Sequence, residues 1–202
     1  MVSTVIVLWS VIPLLCPGPR PRNAAATRTA ILDAARERFA AESYDDVGMR
    51  DIARDVGVDA ALISRYFGSK DDLFLAALDS CGDGSALMSG EKSDFGRRVA
   101  HEIVFEPKKA EKLKGMSIML RSIGSAKAAD MVQTTCTARF FGPLEDWLSG
   151  PDATVRARLL AGFIMGMSVS RELGGGSFNI EPAECEAMRD RLAPILQSLI
   201  EG

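Results

Sequence analysis

Two short helical patterns, separated by one glycine, lie between residues 49 and 67. The first pattern places its apolar residues on one helical face: Met49, Ile52, Ala53 and Val56. Gly57 then supplies a residue that accepts the left-handed backbone of a helix end. Asp59 can cap the second helix, whose inward residues are expected to be Leu62, Ile63 and Phe67. This is the helix-turn-helix arrangement, in which the second helix fits the major groove of DNA and the first crosses the backbone.

Longer helices are predicted on both sides of this pair. Before it, Ile31, Ala35 and Phe39 recur every four residues and predict an amphipathic helix over residues 27–42. After it, Ser69 and Asp72 stand at the N-cap and third positions of a capping box, or of a close variant. Three short packed helices without any DNA contact remain the alternative, since helix-Gly-helix segments are common.

The outer face of the second short helix carries side chains suited to DNA. Its members are small or polar, with one forked donor: Ala60, Ala61, Ser64 and Arg65. Arg65 can pair with guanine edges or phosphate, and the alanine methyl groups can contact thymine. Tyr66 and Lys70 follow at the end of this helix, where a phenol and an ammonium can hold phosphates.

Residues 30–78 resemble the DNA-binding domain of TetR-type transcriptional regulators. The matching motifs include Arg50-Asp51-Ile52-Ala53, Gly57-Val58 and Tyr66-Phe67-x-Ser69-Lys70-x-x-Leu73. The resemblance implies an all-α fold, with a three-helix DNA-binding domain followed by a C-terminal helical bundle that dimerises and holds a small-molecule effector. The residues implied in binding double-stranded DNA are Arg28, Gly48, Arg50, Ala60, Ala61, Ser64, Arg65, Tyr66 and Lys70.

The sequence departs from the family pattern in two places and in its charge. Val47 and Gly48 stand where a threonine or serine pair is usual, and Ser64 replaces a frequent tyrosine of the reading helix. Residues 20–80 carry nine Arg and Lys against eleven Asp and Glu, and the whole chain has a formal charge of −3. DNA binding must therefore depend on a local cluster of cations, and we expect modest, salt-sensitive affinity.

Three segments are expected: an extension (1–23), the DNA-binding domain (24–80) and the ligand-binding and dimerisation domain (81–202). Val5 to Cys16 is apolar but too short to span a bilayer, and no basic residue precedes Arg20 as a signal peptide requires. A disordered or non-native extension is favoured over a short membrane-associating arm. The protein is then expected to be cytoplasmic, with no membrane partner.

The C-terminal segment has apolar stripes with two different expected roles. Residues 81–93 are rich in Gly and Ser and predict a connection, and a helix is expected over residues 95–105. A kink is expected at Gly142-Pro143. Met and aromatic residues usually form core, but the resemblance makes some of them candidate ligand contacts: Met116, Met119, Leu120, Phe140, Phe141 and Trp147.

The last two helical patterns predict a dimer interface. Pro151 fits the first position of one helix, and two apolar stripes follow at helical spacing. Small residues four apart, Gly162, Gly166 and Ser170, permit close approach of another helix. The alternative is a purely intramolecular core. The candidate interface residues are Leu159, Phe163, Met167, Leu192, Ile195 and Leu199.

No pattern of catalytic or metal-binding residues accompanies these stripes. The four cysteines are more than forty residues apart and His101 is the one histidine, so neither a zinc site of usual spacing nor a nucleophilic triad is expected. We expect reduced thiols, no cofactor and no enzymatic activity. The sequence favours a ligand-released repressor that binds a palindromic operator as a homodimer. The competing hypothesis is a helical-bundle ligand carrier or enzyme whose helix-turn-helix is degenerate.

Overall fold

The computed structural model describes residues 24–82, 84–107 and 109–201, and all regular secondary structure within them is helical. The predicted all-α fold is confirmed. The extension 1–23, with Cys16 and its apolar run, lies outside the described residues. The α-helices are α1 (Ala24–Ala41), α2 (Met49–Val56), α3 (Ala60–Phe67), α4 (Lys70–Asp79), α5 (Phe95–Phe105), α6 (Ala110–Ser122), α7 (Ala126–Cys136), α8 (Gly142–Leu148), α9 (Ala153–Leu173) and α10 (Pro182–Glu201).

Local signals fix the ends of α2, α3 and α4. Gly57 closes α2 with φ 72°, in the left-handed region. The Asp59 carboxylate accepts a hydrogen bond from the Ala61 amide at 2.7 Å and so caps α3. Ser69 and Asp72 form the predicted capping box at the start of α4. These three predictions are confirmed.

The first hydrophobic core joins α1–α4 to two helices of the C-terminal segment. Ile118 of α6 and Ala128 of α7 are buried in the same cluster as Phe39 and Phe74. Polar contacts reinforce this packing, since Lys114 pairs with Glu37 and the Arg121 guanidinium donates to the Ala40 carbonyl at 2.8 Å. The first core therefore does not stop at the end of α4, because it includes residues of α6 and α7 as well.

The second core contains α5, α8, α9 and α10, and its most extensive helix pair is α5 with α10. Gly96 of α5 allows the two backbones to approach closely. Its amide donates to Gln197 Oε1 at 2.8 Å, and Gln197 Nε2 donates to the Lys92 carbonyl at 3.1 Å. One amide side chain of α10 thus bonds to the first turn of α5 and to the 3₁₀ turn before it.

Two buried arginines stabilise this core through backbone carbonyls. Arg171 is 6% exposed and donates to the carbonyls of Gly176 at 2.9 Å, Ile103 at 3.0 Å and Glu106 at 2.5 Å. Two of these acceptors lie at the C-terminal end of α5, where the helix dipole favours a positive charge. Arg156 bonds in the same manner to the Ile200 carbonyl of α10, at 3.1 Å.

The structure corrects one local prediction and refines another. Pro151 is not the first residue of a helix: α9 begins at Ala153, after Asp152 with φ 53°. The predicted kink near Gly142-Pro143 takes the form of a single π-helical turn, Thr137–Phe141, between α7 and α8. Pro143 is the second residue of α8 and has no amide hydrogen to donate to the preceding turn, so the regular hydrogen-bond ladder is interrupted where the π turn lies.

Within the described residues, no helix is both long enough and apolar enough to cross a bilayer.

Candidate DNA-binding surface and ligand cavity

One face of α3 is anchored in the core and the other is open. Ile63 is fully buried, whereas Ala61, Ser64 and Arg65 are exposed. Ala60 is half-buried and packs against the core, so it presents less surface than its position in the sequence predicts. The exposed part of α3 therefore offers one methyl group, one hydroxyl and one guanidinium to a partner.

Several cations near α3 are already engaged by carboxylates. Arg38 makes two hydrogen bonds to Asp55, at 2.7 and 2.9 Å, which lower the pKa of that carboxyl. Arg54 pairs with Asp51 at 2.8 Å. By contrast, Arg50 and Arg65 are exposed and form no ion pair with any carboxylate of the described segments. The latter two charges are therefore available to phosphate or to base edges.

Arg28 links the beginning of α1 to the end of α3. Its guanidinium carbon lies 4.5 Å from the centre of the Phe67 ring, in a cation–π contact. The side chain is thus held beside the C-terminal end of α3 while its residue remains exposed. This position allows the guanidinium to contact a phosphate next to the bases that α3 would read.

Lys70 is held at the N-terminus of α4 by an aromatic ring. Its ammonium lies 4.3 Å from the centre of the Tyr44 ring, and burial lowers its pKa. The Tyr44 hydroxyl donates to Asp71, which also pairs with Lys127 of α7 at 2.7 Å. Burial, followed by the hydrogen bond to Asp71, raises the pKa of Tyr44. The network fixes Lys70 in the first turn of α4, a helix start whose amides are already capped by Ser69 and Asp72, so Lys70 itself is the group that can contact a phosphate.

Gly48 occupies the N-cap of α2 without a side-chain cap. An added Cβ there would lie 2.6 Å from Asp51 Oδ2, so a serine or threonine would require Asp51 to change rotamer. Val47, which precedes the cap, is buried in the same cluster as Ile52, the fourth residue of α2, as in a hydrophobic staple. Tyr66, the other predicted contact, is half-buried against that cluster.

A cavity of about 550 Å³ lies between the end of α4 and the helices α5, α6, α7 and α9. Four of the predicted ligand residues line it: Met116, Met119, Phe140 and Phe141. The other two, Leu120 and Trp147, do not line this cavity. Leu120 is 41% exposed on the far side of α6, and the Trp147 ring packs 5.4 Å from that of Phe95.

Sequence reasoning missed most of the cavity wall. Cys81 and Cys136 both line it, and burial raises the pKa of each thiol. Apolar side chains come from α5 and α9, which were assigned to other roles. The unpredicted apolar and sulfur-bearing members are Leu78, Cys81, Ala86, Leu87, Val99, Ile103, Leu113, Cys136, Ala161, Ile164 and Met165.

The predicted dimer residues divide into an exposed set and a packed set. Leu159 of α9 is 55% exposed and Ile195 of α10 is 46% exposed. Leu192 is only 6% exposed and belongs to the core of the protomer, so it offers little surface to a second subunit. The remaining three are half-buried against that core: Phe163, Met167 and Leu199.

The described residues contain no group of three His, Cys, Asp or Glu side chains that could hold a metal ion.

The comparisons with known proteins agree with this architecture. Residues 31–77 match the family model for bacterial regulatory proteins of the tetR family, and residues 93–200 match the tetracyclin repressor-like C-terminal domain. None of the curated proteins compared with the chain gives a significant match.

Solved structures of bacterial regulators have similar folds. A TetR-family regulator from Streptomyces coelicolor is 25% identical, with a TM-score of 0.53, covering 92% of this chain and 100% of its own. A transcriptional regulator from Saccharomonospora viridis, solved with choline, is 20% identical, with a TM-score of 0.57 and coverages of 86% and 96%. NalD, the secondary repressor of the MexAB-OprM efflux pump in Pseudomonas aeruginosa, is 19% identical, with a TM-score of 0.60 and coverages of 84% and 96%.

The two family matches together extend over both the helix-turn-helix and the helical bundle, and they cover more than half of the chain. The protein therefore belongs to the tetR family of helix-turn-helix transcriptional regulators.

Proposed function

We propose that the protein is a homodimeric repressor that binds a palindromic operator through α3 and leaves it when a small molecule enters the cavity. The observation that carries the proposal is the exposed face of α3, which presents Ser64 and Arg65 to solvent, and neither Arg65 nor Arg50 forms an ion pair with a carboxylate of the described residues. Regulators of this family are generally not enzymes. In this account residues 24–80 bind DNA, and residues 81–202 bind the ligand and the second subunit.

Dimerisation is supported by the open face of α9. Val155 and Leu159, four residues apart, are each more than half exposed. One and two turns further on, Gly162 and Gly166 have no atom within 4 Å of an added Cβ. A second copy of α9 and α10 packed on this face would form a four-helix interface and bury Ile195 as well.

A dimer gives the repressor its geometry on DNA. Two α3 helices related by a twofold axis enter successive major grooves when they are about 34–36 Å apart, or a multiple of that distance. A ligand that binds more tightly to a dimer of different spacing weakens DNA binding by that difference in affinity.

The helix α4 connects the two sites within one protomer. Lys70, at its start, lies beside α3, and Leu78 and Asp79, at its end, line the cavity. Asp79 pairs with Arg139 of the π-helical turn, so α4 is tied to the opposite wall. A ligand that displaces this wall acts on α4 directly, and the tilt of α4 moves α3 with it.

The test is fluorescence anisotropy with duplex DNA from upstream of the gene, against scrambled DNA of equal length. Wild type, Arg65→Ala and Arg97→Ala are compared near physiological salt. Arg97 is an exposed arginine of α5, paired with Asp94 at 2.6 Å, and is a matched control for the loss of one charge. We expect a preference for upstream DNA that Arg65→Ala weakens by about 1–3 kcal/mol and Arg97→Ala leaves unchanged.

Equal weak binding of wild type to both DNAs would contradict the proposal for that operator. In that case the cavity would support the competing hypothesis, a ligand-binding protein that has no DNA target. Equal losses in the two variants would mean that Arg65 contributes only charge and does not read sequence.

A further inference from the structure

The cavity wall separates an apolar interior from a charged rim. Four charged residues reach the cavity, two acidic and two basic. They form two pairs, Arg139 with Asp79 and Lys112 with Glu102 at 3.1 Å, and each of these side chains is between 38% and 47% exposed. The charges therefore lie at the solvent edge, and each has a partner of opposite sign.

The interior offers no charge and few polar groups. Ser168, which is buried, already donates its hydroxyl to the Ile164 carbonyl at 2.7 Å. Burial raises the pKa of Cys81 and Cys136, so both thiols stay neutral near pH 7. Three methionines, Met116, Met119 and Met165, add flexible and polarisable surface.

The aromatic residues do not form an open cage for a cation. Phe140 and Phe141 contact each other edge to face, with ring centres 5.2 Å apart. The guanidinium carbon of Arg158 lies 3.7 Å from the centre of the Phe141 ring and occupies one of its faces. A cationic ligand would therefore find that face of Phe141 covered and both carboxylates of the wall engaged by cations.

We infer that the cavity selects neutral, largely apolar ligands that contain aromatic rings and rejects ions of either sign. A charged group that enters the interior loses its hydration and gains no partner of opposite charge. A neutral ring gains contact with methionine, cysteine and phenylalanine side chains in a cavity of the size that takes drug-like molecules. This inference rests on the proposed role of the cavity as the effector site.

Three probes with similar rings and different charge test the inference. N-phenyl-1-naphthylamine is neutral, 8-anilino-1-naphthalenesulfonate is its anionic relative, and 1-naphthylmethyl-trimethylammonium is cationic. The full chain is titrated with each probe, by fluorescence for the first two and by displacement of the neutral probe for the third. We expect the neutral probe to bind at least tenfold more tightly than either ion, with one site per protomer.

Two variants change the charge of the rim in opposite directions. Asp79→Asn leaves Arg139 unpaired, and Arg139→Gln leaves Asp79 unpaired. Relative to the neutral probe, we expect the first variant to improve binding of the anionic probe several-fold and the second to improve binding of the cationic probe several-fold. Equal affinity of wild type for a charged and the neutral probe would overturn the inference, as would a failure of both variants to alter charge selectivity.

A variant that fills the cavity tests whether the neutral probe binds inside it. Ala161 lines the cavity on α9, and Ala126 is exposed at the start of α7. Ala161→Phe is expected to lower affinity for the neutral probe at least tenfold and Ala126→Phe to leave it unchanged, with helix content checked by circular dichroism. Unchanged binding in Ala161→Phe would contradict the inference.

DNA anisotropy on the same preparations separates this inference from the proposed function. DNA binding by a protein without neutral-probe selectivity refutes the ligand class alone. Selective neutral binding by a protein that does not recognise DNA refutes the repressor and leaves the ligand class intact.

Discussion

Replacement of Gly96 by alanine gives a sharp test of the packing between α5 and α10. An added Cβ would lie 2.8 Å from Gln197 Cβ, 2.9 Å from the Gln197 backbone nitrogen and closer still to the Ala193 carbonyl oxygen. Two of these three atoms belong to the backbone of α10 and have no rotamer to change. The helices must therefore separate, and the hydrogen bond from the Gly96 amide to Gln197 stretches or breaks.

The magnitude follows from three contributions. Overpacking against a helix backbone costs about 3 kcal/mol, and the lost hydrogen bond costs about 1 kcal/mol. Alanine is about 1 kcal/mol better than glycine within a helix, which offsets part of this. The free energy of unfolding should fall by about 3 kcal/mol, which lowers the melting temperature by roughly 6–12 °C in a chain of this size.

Thermal unfolding of a glycine series is the assay. Gly115→Ala brings a Cβ within 3.0 Å of one atom, Cys81 Cβ at 2.6 Å, where Gly96→Ala meets three, and should therefore destabilise less than Gly96→Ala. Gly162→Ala meets no atom within 4 Å in the protomer and should cause no loss of stability inside it, so any loss that depends on protein concentration would place Gly162 against a second copy. Measurements at two protein concentrations separate an effect on dimerisation from a clash inside the protomer. A Gly96→Ala protein as stable as wild type would refute the packing described for α5 and α10.

Further predictions concern the buried arginine, the α4 cap and pH. Arg171→Met leaves three carbonyls without their donor and should lower the free energy of unfolding in urea by about 3 kcal/mol, with Arg171→Lys losing less. Ser69→Ala removes the cap of α4 and should cost about 1 kcal/mol in the same assay, whereas no loss would mean that the capping box contributes nothing. Lys127 and Tyr44 lower the pKa of Asp71 in the folded protein. The Asp71 carboxylate therefore stabilises the fold fully at pH values above the ordinary aspartate pKa, and this stabilisation is lost as pH falls through the lowered pKa of the folded state. Stability curves at low pH should therefore be flatter for Asp71→Asn than for wild type, and identical curves would contradict this.

The helix-turn-helix could be predicted from sequence because its signals are local. The period of α2, the left-handed Gly57 and the Asp59 cap each depend on residues within one or two turns. Local signals were less reliable at the start of α9. Pro151 favours a first helical position, but Asp152 adopts a left-handed conformation and delays the helix to Ala153.

The ligand cavity could be predicted only in part because it is formed by contacts between distant segments. Met119 and Leu120 are adjacent apolar residues on α6, and their sequence does not distinguish the one that faces α7 from the one that faces solvent. Trp147 is directed away from the cavity by Phe95, fifty-two positions earlier in the sequence. The thiols of Cys81 and Cys136 carry no periodic signal, and only the fold brings both to one wall.

The same limitation applies to the interface. Leu192 and Ile195 belong to one apolar stripe, but Leu192 is buried in the second core and Ile195 is left open. An apolar stripe of this width can contact both the protomer core and a second subunit. The sequence alone does not show which of its residues face the core and which face the partner. The exposed pair of Val155 and Leu159, beside the two open glycines of α9, is visible only once α5 and α10 are in position.

Hydroxyl-radical footprinting on the upstream DNA tests the central claim most directly. The account predicts two protected stretches on one face of the duplex, related by an inverted repeat and separated by one helical turn or a multiple of it. Arg65→Ala should remove both stretches together, and Arg97→Ala should preserve them. A single protected stretch, or protection without sequence preference, would contradict a symmetric pair of reading helices.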